Sequence, residues 1–396
     1  MASVTAQLDR RGMAVVAGAH TMADCCQAAV AALLPFLIAE NGWSYATASS
    51  LVLAGAVSSS IVQPVFGHFA DRRSLAWLMP LGILVASVGV GLAAVAPTFG
   101  LAFAATVASG LGVAAFHPEG SRYANYLSGA RRATGMSMFA LGGNAGFALG
   151  PALVTPAVLL LGLPGALLLA VPGAAIALWI ALELPRLGGF RPAVDRSQAG
   201  ARALGDDDWP SFARLGVVIA ARTVLFYGLL TFVPLYFVDV LHRSEEAGNT
   251  ALIAFLAGGA LGTLIGGRLA DRLGRRPVVI GSLSLSTPLV LLFLSLPAAA
   301  ATPLLVLIGA AVIASFSVTV VMGQEYLPNR IGIASGVTLG LAIGLGGLFA
   351  PLLGLLADAH GLETMLVVAA VLPLVGVATT ISLPRERRGA AAATTA

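Results

Sequence analysis

Long apolar runs alternate with short polar or charged loops along the whole chain. Twelve of these runs are about 20 residues long or longer, the length with which an α-helix crosses the hydrocarbon core of a bilayer. The pattern predicts an all-α integral membrane protein with 12 transmembrane helices, at roughly 13–39, 46–68, 76–95, 98–119, 133–157, 163–183, 211–238, 247–268, 278–296, 301–323, 331–357 and 362–383.

Composition supports this class of protein. Of 396 residues, 58% are hydrophobic and 10% are charged, whereas soluble globular domains carry about 25% charged residues. All 22 basic residues are arginines. They lie in separate short loops rather than in one basic patch, which argues against nucleic acid as a partner.

The placement of the arginines predicts the orientation in the membrane. Twenty of the 22 fall in the N-terminal segment, in alternate loops or in the C-terminal tail, all of which lie on one side of a 12-helix chain. The positive-inside rule assigns that side to the cytoplasm, so both termini are expected to be cytoplasmic. Arg243 falls in a loop on the other side, and Arg222 falls inside a predicted helix.

Matching sequence markers recur in the two halves of the chain. Asp71 and Asp271 follow the second and eighth segments and are 200 positions apart, and Pro151 and Pro351 have the same offset. The markers predict two six-helix pseudo-repeats: an N-terminal bundle over 1–184 and a C-terminal bundle with a short basic tail over 211–396. A cytoplasmic linker over 185–210, rich in Gly, Pro and charge, joins them. A substrate site is expected between the two bundles near the membrane midplane.

These markers resemble those of the major facilitator superfamily over the whole chain. The loops that begin GHFADRR at residue 67 and GGRLADRLGRR at residue 266 resemble its repeated loop motif, and Gly146, Gly150 and Pro151 resemble its antiporter motif. FHPEGSR at 116–122, GGNAGFALGP at 142–151 and GQEYLPNRIGIASG at 323–336 resemble the fosmidomycin-resistance branch. Many antiporters of the superfamily carry an arginine where Thr106 stands, so their proton-coupling scheme does not transfer through that position.

The resemblance implies a monomeric secondary transporter in the bacterial inner (cytoplasmic) membrane. It implies efflux of small anionic or amphiphilic drug-like compounds, such as fosmidomycin, by rocker-switch alternating access and in exchange for protons. The alternative is a proton-coupled uptake symporter for a sugar phosphate or organic acid. A membrane enzyme is a third, disfavoured interpretation. We expect no cofactor and no metal, and no ATP-binding loop is possible because that loop needs a lysine.

Two charged residues inside predicted helices are the main candidates for mechanism. Asp24 lies 11 residues into the first segment and Arg222 lies 11 residues into the seventh, each about 16 Å deep at 1.5 Å per residue. Because a buried charge is costly, we expect the two to approach each other across the central cavity, with Asp24 as proton carrier and Arg222 as a clamp for an anionic substrate. The alternative is a static structural pair.

Several polar or aromatic neighbours extend this candidate site. His20, Asp24 and Gln27 share one helix face, which predicts a proton relay between His20 and Asp24 and a substrate contact by Gln27. Phe226 and Tyr227 follow Arg222 by about one turn and are expected to contact the substrate.

His117 and Glu119 lie near the predicted end of the fourth segment. We interpret both as proton-coupling residues. The alternative is a helix-end network with Arg122 and Arg131. Glu325 ends the tenth segment at the position that matches Glu119 in the repeat, and we expect it to make a gating contact.

Other motif residues are predicted to control gating. Acidic residues contribute little to orientation, so Asp71 and Asp271, with Arg72 and Arg272, are interpreted as conformational locks. Small-residue spacing permits close helix packing, and for Gly146, Gly150 and Pro151 we predict a tight seal between the halves.

Overall fold

The computed structural model describes residues 8–72, 75–129, 132–189, 206–328 and 331–384, with the side chains of residues 64, 65, 67–72, 132–134, 331–333, 335, 336 and 339–342 left out of the description. This part of the chain contains α-helices and one short 3₁₀ helix, and it contains no strand. The α-helices are α1 Arg10–Asn41, α2 Tyr45–Arg72, α3 Leu78–Val95, α4 Phe99–Leu127, α5 Arg132–Leu161, α6 Ala170–Leu187, α7 Trp209–Asp239, α8 Glu245–Leu273, α9 Arg275–Leu294, α10 Ala298–Ala314, α11 Phe316–Tyr326, α12 Ile331–His360 and α13 Leu362–Ile381.

These helices supply 12 spans that are long and apolar enough to cross a membrane, which confirms the predicted all-α fold class. Two spans are composite. The sixth joins the 3₁₀ helix Leu163–Leu169 to α6, and the tenth is divided at Ser315 into α10 and α11. The division of the tenth span has no counterpart in the sequence prediction.

Local capping fixes where key helices begin and end. The Asp9 carboxylate accepts hydrogen bonds from the backbone N–H groups of Arg11 and Gly12 at 3.1 and 3.3 Å, which satisfies free donors at the start of α1. α1 ends at Gly42, whose φ of 65° lies in the left-handed region that glycine adopts most easily. We call the side of the bundle where α1 begins the arginine side, and the side where α1 ends the opposite side.

The ends of α6 and α7 bracket the predicted linker. α6 continues to Leu187, three residues past the predicted bundle boundary at 184, and α7 begins at Trp209, close to the predicted 211. Residues 190–205, the middle of the predicted linker, lie outside the described residues.

Hydrogen bonds join the two halves at the opposite side. Asp358 of α12 accepts from the backbone N–H groups of Tyr45 and Ala46 at 2.8 and 3.0 Å, so an acid of the C-terminal half caps α2 of the N-terminal half. The Tyr45 hydroxyl donates to Asp239 of α7 at 2.7 Å. These contacts clamp the halves together on that side.

Glycines allow the backbones of two pairs of helices to come into direct contact. Gly258, Gly262 and Gly266 of α8 follow one another every four residues, and each directs its missing side chain at a carbonyl of the α10 backbone. Gly142, Gly146 and Gly150 of α5 do the same towards α1. The second set lies inside the N-terminal half, so the predicted role of Gly146 and Gly150 as a seal between the halves is wrong: the spacing identified a packing face but not the helix that covers it.

A matched pair of substitutions on α8 tests this packing. A Cβ at Gly262 would meet the Ala310 carbonyl, so Gly262→Ala should destabilise the protein by about 1–3 kcal/mol in detergent thermal unfolding. Gly267 faces open space, so Gly267→Ala should be neutral or stabilise by about 0.5–1 kcal/mol through helix propensity. Equal responses of the two variants would contradict the close approach of α8 and α10.

Candidate functional site

A cluster of three ionisable side chains lies inside the N-terminal half. His20 and Asp24 come from α1, and His117 comes from α4. The Nε2 atom of His20 lies 3.3 Å from Oδ2 of Asp24, and Nε2 of His117 lies 3.4 Å from Oδ1 of the same carboxylate. Both imidazoles therefore face one carboxylate. His20 and Asp24 were predicted to lie together, and the structure adds His117 from a different helix.

Backbone carbonyls determine which nitrogen of each imidazole carries a hydrogen. Nδ1 of His20 lies 2.7 Å from the Phe139 carbonyl oxygen, and Nδ1 of His117 lies 2.9 Å from the Val113 carbonyl oxygen. A carbonyl only accepts, so each Nδ1 is the donor. Each Nε2 then faces Asp24, and a hydrogen bond there requires an added proton on the nitrogen or on the carboxylate. The arrangement is chemically suited to bind protons.

Helix α5 packs against this cluster and shapes it. The ring of Phe139 stacks on the His20 ring, with centroids 4.0 Å apart. A Cβ at Gly143 would lie 2.6 Å from Oδ2 of Asp24 and 2.6 Å from Cε1 of His20, so only glycine leaves room for the cluster. Phe139 and Gly143 were not predicted as site residues. The only sequence signal for Gly143 was its place in the glycine-rich motif of α5.

The cluster also has the ligand atoms and the spacing of a metal-ion site. The ligand atoms of His20, Asp24 and His117 all lie within 4.8 Å of one another. Two imidazole nitrogens and a carboxylate oxygen are also groups that divalent transition metals use as ligands. Experiments on proton binding here consequently need a metal chelator as a control.

Glu119 lies two residues from His117 but belongs to a different network. Its carboxylate accepts from Arg122 at 2.7 and 2.5 Å and from the backbone N–H of Leu75 at 2.8 Å. Its side chain is 1% exposed. This is the helix-end network that was the alternative interpretation of Glu119, with Leu75 as an added member. Arg131 lies outside the described residues.

Arg222 is buried in the C-terminal half and does not form an ion pair with Asp24. Its Nη2 atom lies 3.4 Å from the Thr223 hydroxyl, and its Cζ lies 4.9 Å from the centre of the Phe316 ring. Asp24 was expected to approach Arg222 across the central cavity, but the contacts of its carboxylate in this structure are with two imidazoles of its own half.

A small cavity lies between the halves, where the repeat predicted a substrate site. Gln27 of α1 and Tyr227 of α7, two predicted substrate contacts, line it together with Val30, Ala31, Val52, Gly55, Ala56, Ser109, Gly110, Val113, Phe147 and Leu230. Its volume of about 20 Å³ holds no more than a water molecule. Phe226 packs instead against Phe255, with ring centroids 5.6 Å apart. The cavity would have to widen before a drug-sized compound could bind in it.

The other predicted gating residues lie in four different places. Glu325 pairs with Arg275 at 2.8 Å on the arginine side, within the C-terminal half. Asp271 and Arg272 are exposed at the end of α8. The side chains of Asp71 and Arg72 lie outside the described residues. Pro151 lies inside α5, which remains one helix through it.

Twelve apolar spans, buried ionisable groups and a cavity lined from both the N-terminal and the C-terminal half of the chain are features of membrane transporters. A family model of the Major Facilitator Superfamily matches residues 16–351 and, in a second match, residues 249–395. The chain belongs to the Major Facilitator Superfamily.

Two bacterial relatives are similar over most of their length. The uncharacterized MFS-type transporter YfnC of Bacillus subtilis is 33% identical over 367 residues, which cover 90% of this chain and 89% of the relative. The fosmidomycin resistance protein of Escherichia coli is 32% identical over 380 residues, which cover 93% and 91%. The sequence resemblance to the branch that contains the second relative is confirmed.

Solved structures of transporters share the fold. A bacterial homologue of the human lysosomal transporter Spinster, in an inward-facing and occupied conformation, has a TM-score of 0.74 at 15% identity, covering 93% of this chain and 95% of that chain. The nucleoside transporter NupG has a TM-score of 0.73 at 16% identity, covering 95% and 100%. These relatives and neighbours are transporters and not enzymes.

Two glutamate–arginine pairs allow a controlled test of the Glu119 network. Glu119→Gln removes the charge of a buried carboxylate that binds both Arg122 and the Leu75 N–H, and it should lower the free energy of unfolding by about 3–5 kcal/mol. The Glu325–Arg275 pair is more exposed, so Glu325→Gln should change it by less than about 1 kcal/mol. Thermal and denaturant unfolding in detergent would measure both. A Glu119→Gln protein of unchanged stability would contradict a structural role.

Proposed function

We propose that the protein is a proton-coupled exporter of small anionic or amphiphilic compounds in the bacterial inner membrane. It acts as a monomer with cytoplasmic termini and works by rocker-switch alternating access. Fosmidomycin is the first substrate to test, because one relative carries that resistance in its name. The observation that carries the proposal is the cluster in which His20 and His117 both face Asp24.

The cluster supports proton coupling because its contacts depend on added protons. Without them, the Nε2 lone pairs of two neutral imidazoles face an anionic carboxylate, which is unfavourable in a buried site. With them, each contact becomes a charge-assisted hydrogen bond. Loss of these protons therefore weakens the contact between His117 of α4 and Asp24 of α1. Deprotonation thus changes both the charge of the cluster and the contact between the two helices.

The substrate site lies between the halves in this proposal. Gln27 and Tyr227 line the central cavity, and Arg222 offers a guanidinium to an acidic substrate from the C-terminal half. In export by exchange, substrate occupancy of this site and protonation of the cluster exclude each other, so that one direction of the transport cycle carries substrate and the other carries protons.

Alternating access requires contacts that break on one side while others form on the opposite side. The Asp358 cap on α2 and the Tyr45–Asp239 hydrogen bond hold the opposite side closed. On the arginine side we assign gating to Asp71, Arg72, Asp271 and Arg272, with Glu325 holding the end of α11 to the start of α9. These residues set the rate of turnover rather than the choice of substrate.

Uptake of a sugar phosphate or organic acid with protons is the alternative direction. The antiporter-like motif of α5, whose Gly146 and Gly150 pack on α1 beside the cluster, favours export. Oriented proteoliposomes with an internal pH-sensitive dye distinguish the two. Substrate moving one way while protons move the other supports export by exchange, and movement of both in the same direction would overturn it.

Asp24→Asn is the variant that tests proton coupling. In proteoliposomes with an imposed pH gradient, it should reduce gradient-driven transport of fosmidomycin to background while detergent binding of the compound survives. The reason is that an amide neither ionises nor takes up the protons that the two imidazoles share with the carboxylate.

Two controls make that result specific. Asp206→Asn removes an exposed acid before α7 and should transport normally. Each variant is measured with and without a chelator, because the cluster also has metal-ligand spacing. Normal pH-driven transport by Asp24→Asn would refute the proposed carrier, and loss of wild-type transport on chelation would identify the cluster as a metal site instead.

A further inference from the structure

The carboxylate of Asp24 differs from the other buried acids in the kind of partner it has. Glu119 and Glu183 pair with arginines, which bring a permanent positive charge. Asp24 pairs, among the described residues, only with the imidazoles of His20 and His117, at 3.3 and 3.4 Å. A neutral imidazole brings no charge, so this buried acid is neutralised only when a cation joins the cluster.

Backbone carbonyls hold both imidazoles in the orientation of metal ligands. Nδ1 of His20 donates to the Phe139 carbonyl at 2.7 Å, and Nδ1 of His117 donates to the Val113 carbonyl at 2.9 Å. Histidines that bind a metal almost always donate their other ring N–H in this way, which fixes the tautomer and the direction of the ring. The Nε2 lone pairs of both rings are therefore free to bind an ion beside Asp24.

The ligand atoms are spaced much as they are around a tetrahedral ion. Zn²⁺ binds imidazole nitrogen and carboxylate oxygen at about 2.0–2.2 Å, so its neighbouring ligands lie about 3.3–3.5 Å apart. Each Nε2 atom already lies 3.3 or 3.4 Å from one oxygen of Asp24. One ligand atom from each of the three residues falls within 4.8 Å of the others, so side-chain shifts of about 1–1.5 Å complete the set.

Gly143 of α5 leaves space beside these atoms. A Cβ at this position would lie 2.6 Å from Oδ2 of Asp24 and 2.7 Å from Nε2 of His20. Two of the candidate ligand atoms therefore border the volume that a side chain would fill, at distances a little longer than metal–ligand bonds. The glycine leaves room for a small ion next to its ligands.

The cluster borders the central cavity, through which an ion can reach it. Gln27, three residues after Asp24 on α1, and Val113, four residues before His117 on α4, both line that cavity. The His117 side chain is 18% exposed and the Asp24 side chain 9%, so His117 is the ligand nearer to solvent. No metal was predicted from the sequence, because His117 was placed at a helix end and not beside Asp24.

We propose that His20, Asp24 and His117 bind a divalent transition-metal ion of the Zn²⁺ type, and that the bound ion blocks transport. Structural zinc sites have four protein ligands, whereas three ligands leave one position open to water, which suits an exchangeable ion. The blocking effect rests on the proposed function, because the ion occupies the same Nε2 lone pairs that carry protons there. The binding of the ion does not rest on it.

Co²⁺ tests the site directly, because its visible absorption distinguishes tetrahedral coordination by protein from octahedral coordination by water. Metal-free, full-length protein without a histidine tag is titrated in detergent. The wild type should give a tetrahedral Co²⁺ spectrum that Zn²⁺ abolishes by displacement. His117→Gln should weaken Co²⁺ binding by at least about tenfold, the factor that corresponds to 1.4 kcal/mol. His360→Gln removes an exposed imidazole at the end of α12 and should bind like the wild type.

Proteoliposomes with buffered free Zn²⁺ test the blocking effect. Gradient-driven transport by the wild type and by His360→Gln should fall to background at saturating Zn²⁺ and should recover when a chelator is added. Half-inhibition should follow the Zn²⁺ affinity measured in detergent. Half-inhibition that instead follows the concentration of the transported compound would show that Zn²⁺ binds the compound, and would contradict a block at the cluster.

Three further outcomes would overturn the proposal. They are a wild-type protein that gives no tetrahedral Co²⁺ spectrum, Co²⁺ binding of wild-type strength by His117→Gln, and full transport at saturating Zn²⁺. The Co²⁺ titration involves no transport, so the metal site and proton coupling can fail separately. Normal pH-driven transport by Asp24→Asn would refute proton coupling, whereas a tetrahedral Co²⁺ spectrum of the wild type would still support the metal site.

Discussion

The cost of burying an ionised group in a membrane governs the arrangement of charge in this protein. A charge near the bilayer centre costs about 2.5–3.5 kcal/mol on insertion scales, so it persists only where it is paired or has work to do. Glu119 has Arg122, and Glu183 at the end of α6 has Arg11 and Arg186. Asp24 has two imidazoles, and Arg222 has an aromatic face but no acid among the described residues. Pairing between a carboxylate and a guanidinium thus marks the structural charges, whereas Asp24 and Arg222, the candidate working charges, have other kinds of partner.

Close helix packing makes the neutralisation of Asp24 possible. The glycines of α5 bring its backbone against α1, and Gly143 leaves the space that the His20 and Asp24 side chains occupy. The Phe139 carbonyl of the same helix then orients His20. Three helices of one half therefore meet at the cluster, and a change in its protons acts on all three. In the proposed rocking motion, this cluster is the point at which protonation is linked to helix position.

The sequence predicted the features that depend on periodicity and depth. Apolar runs predicted 12 spans, repeat markers predicted the halves, and depth counting placed Asp24 and Arg222 inside the membrane. Partner choice was not predictable, because it depends on which faces of distant helices meet. For that reason His117 was read as a residue near a helix end, although it reaches Asp24 on α1.

Two further errors have physical causes of the same kind. The spacing of Gly146 and Gly150 predicts that another helix packs closely on α5, but it does not say whether that helix belongs to the same half or to the other half. The break at Ser315 has no proline or glycine to announce it, since α10 passes into α11 through the sequence VIASFSV. Such a break depends on tertiary packing, which overrides the local preference of an apolar helical run.

The most direct test of proton coupling is a count of protons exchanged when substrate binds. The purified protein would be held in weakly buffered detergent solution with a pH-indicator dye and a chelator, and fosmidomycin would be added. The account predicts that wild-type protein releases protons as the compound binds, and that a His20→Gln and His117→Gln double variant binds without release. Binding by wild type with no change in free protons, or equal release by the double variant, would contradict it.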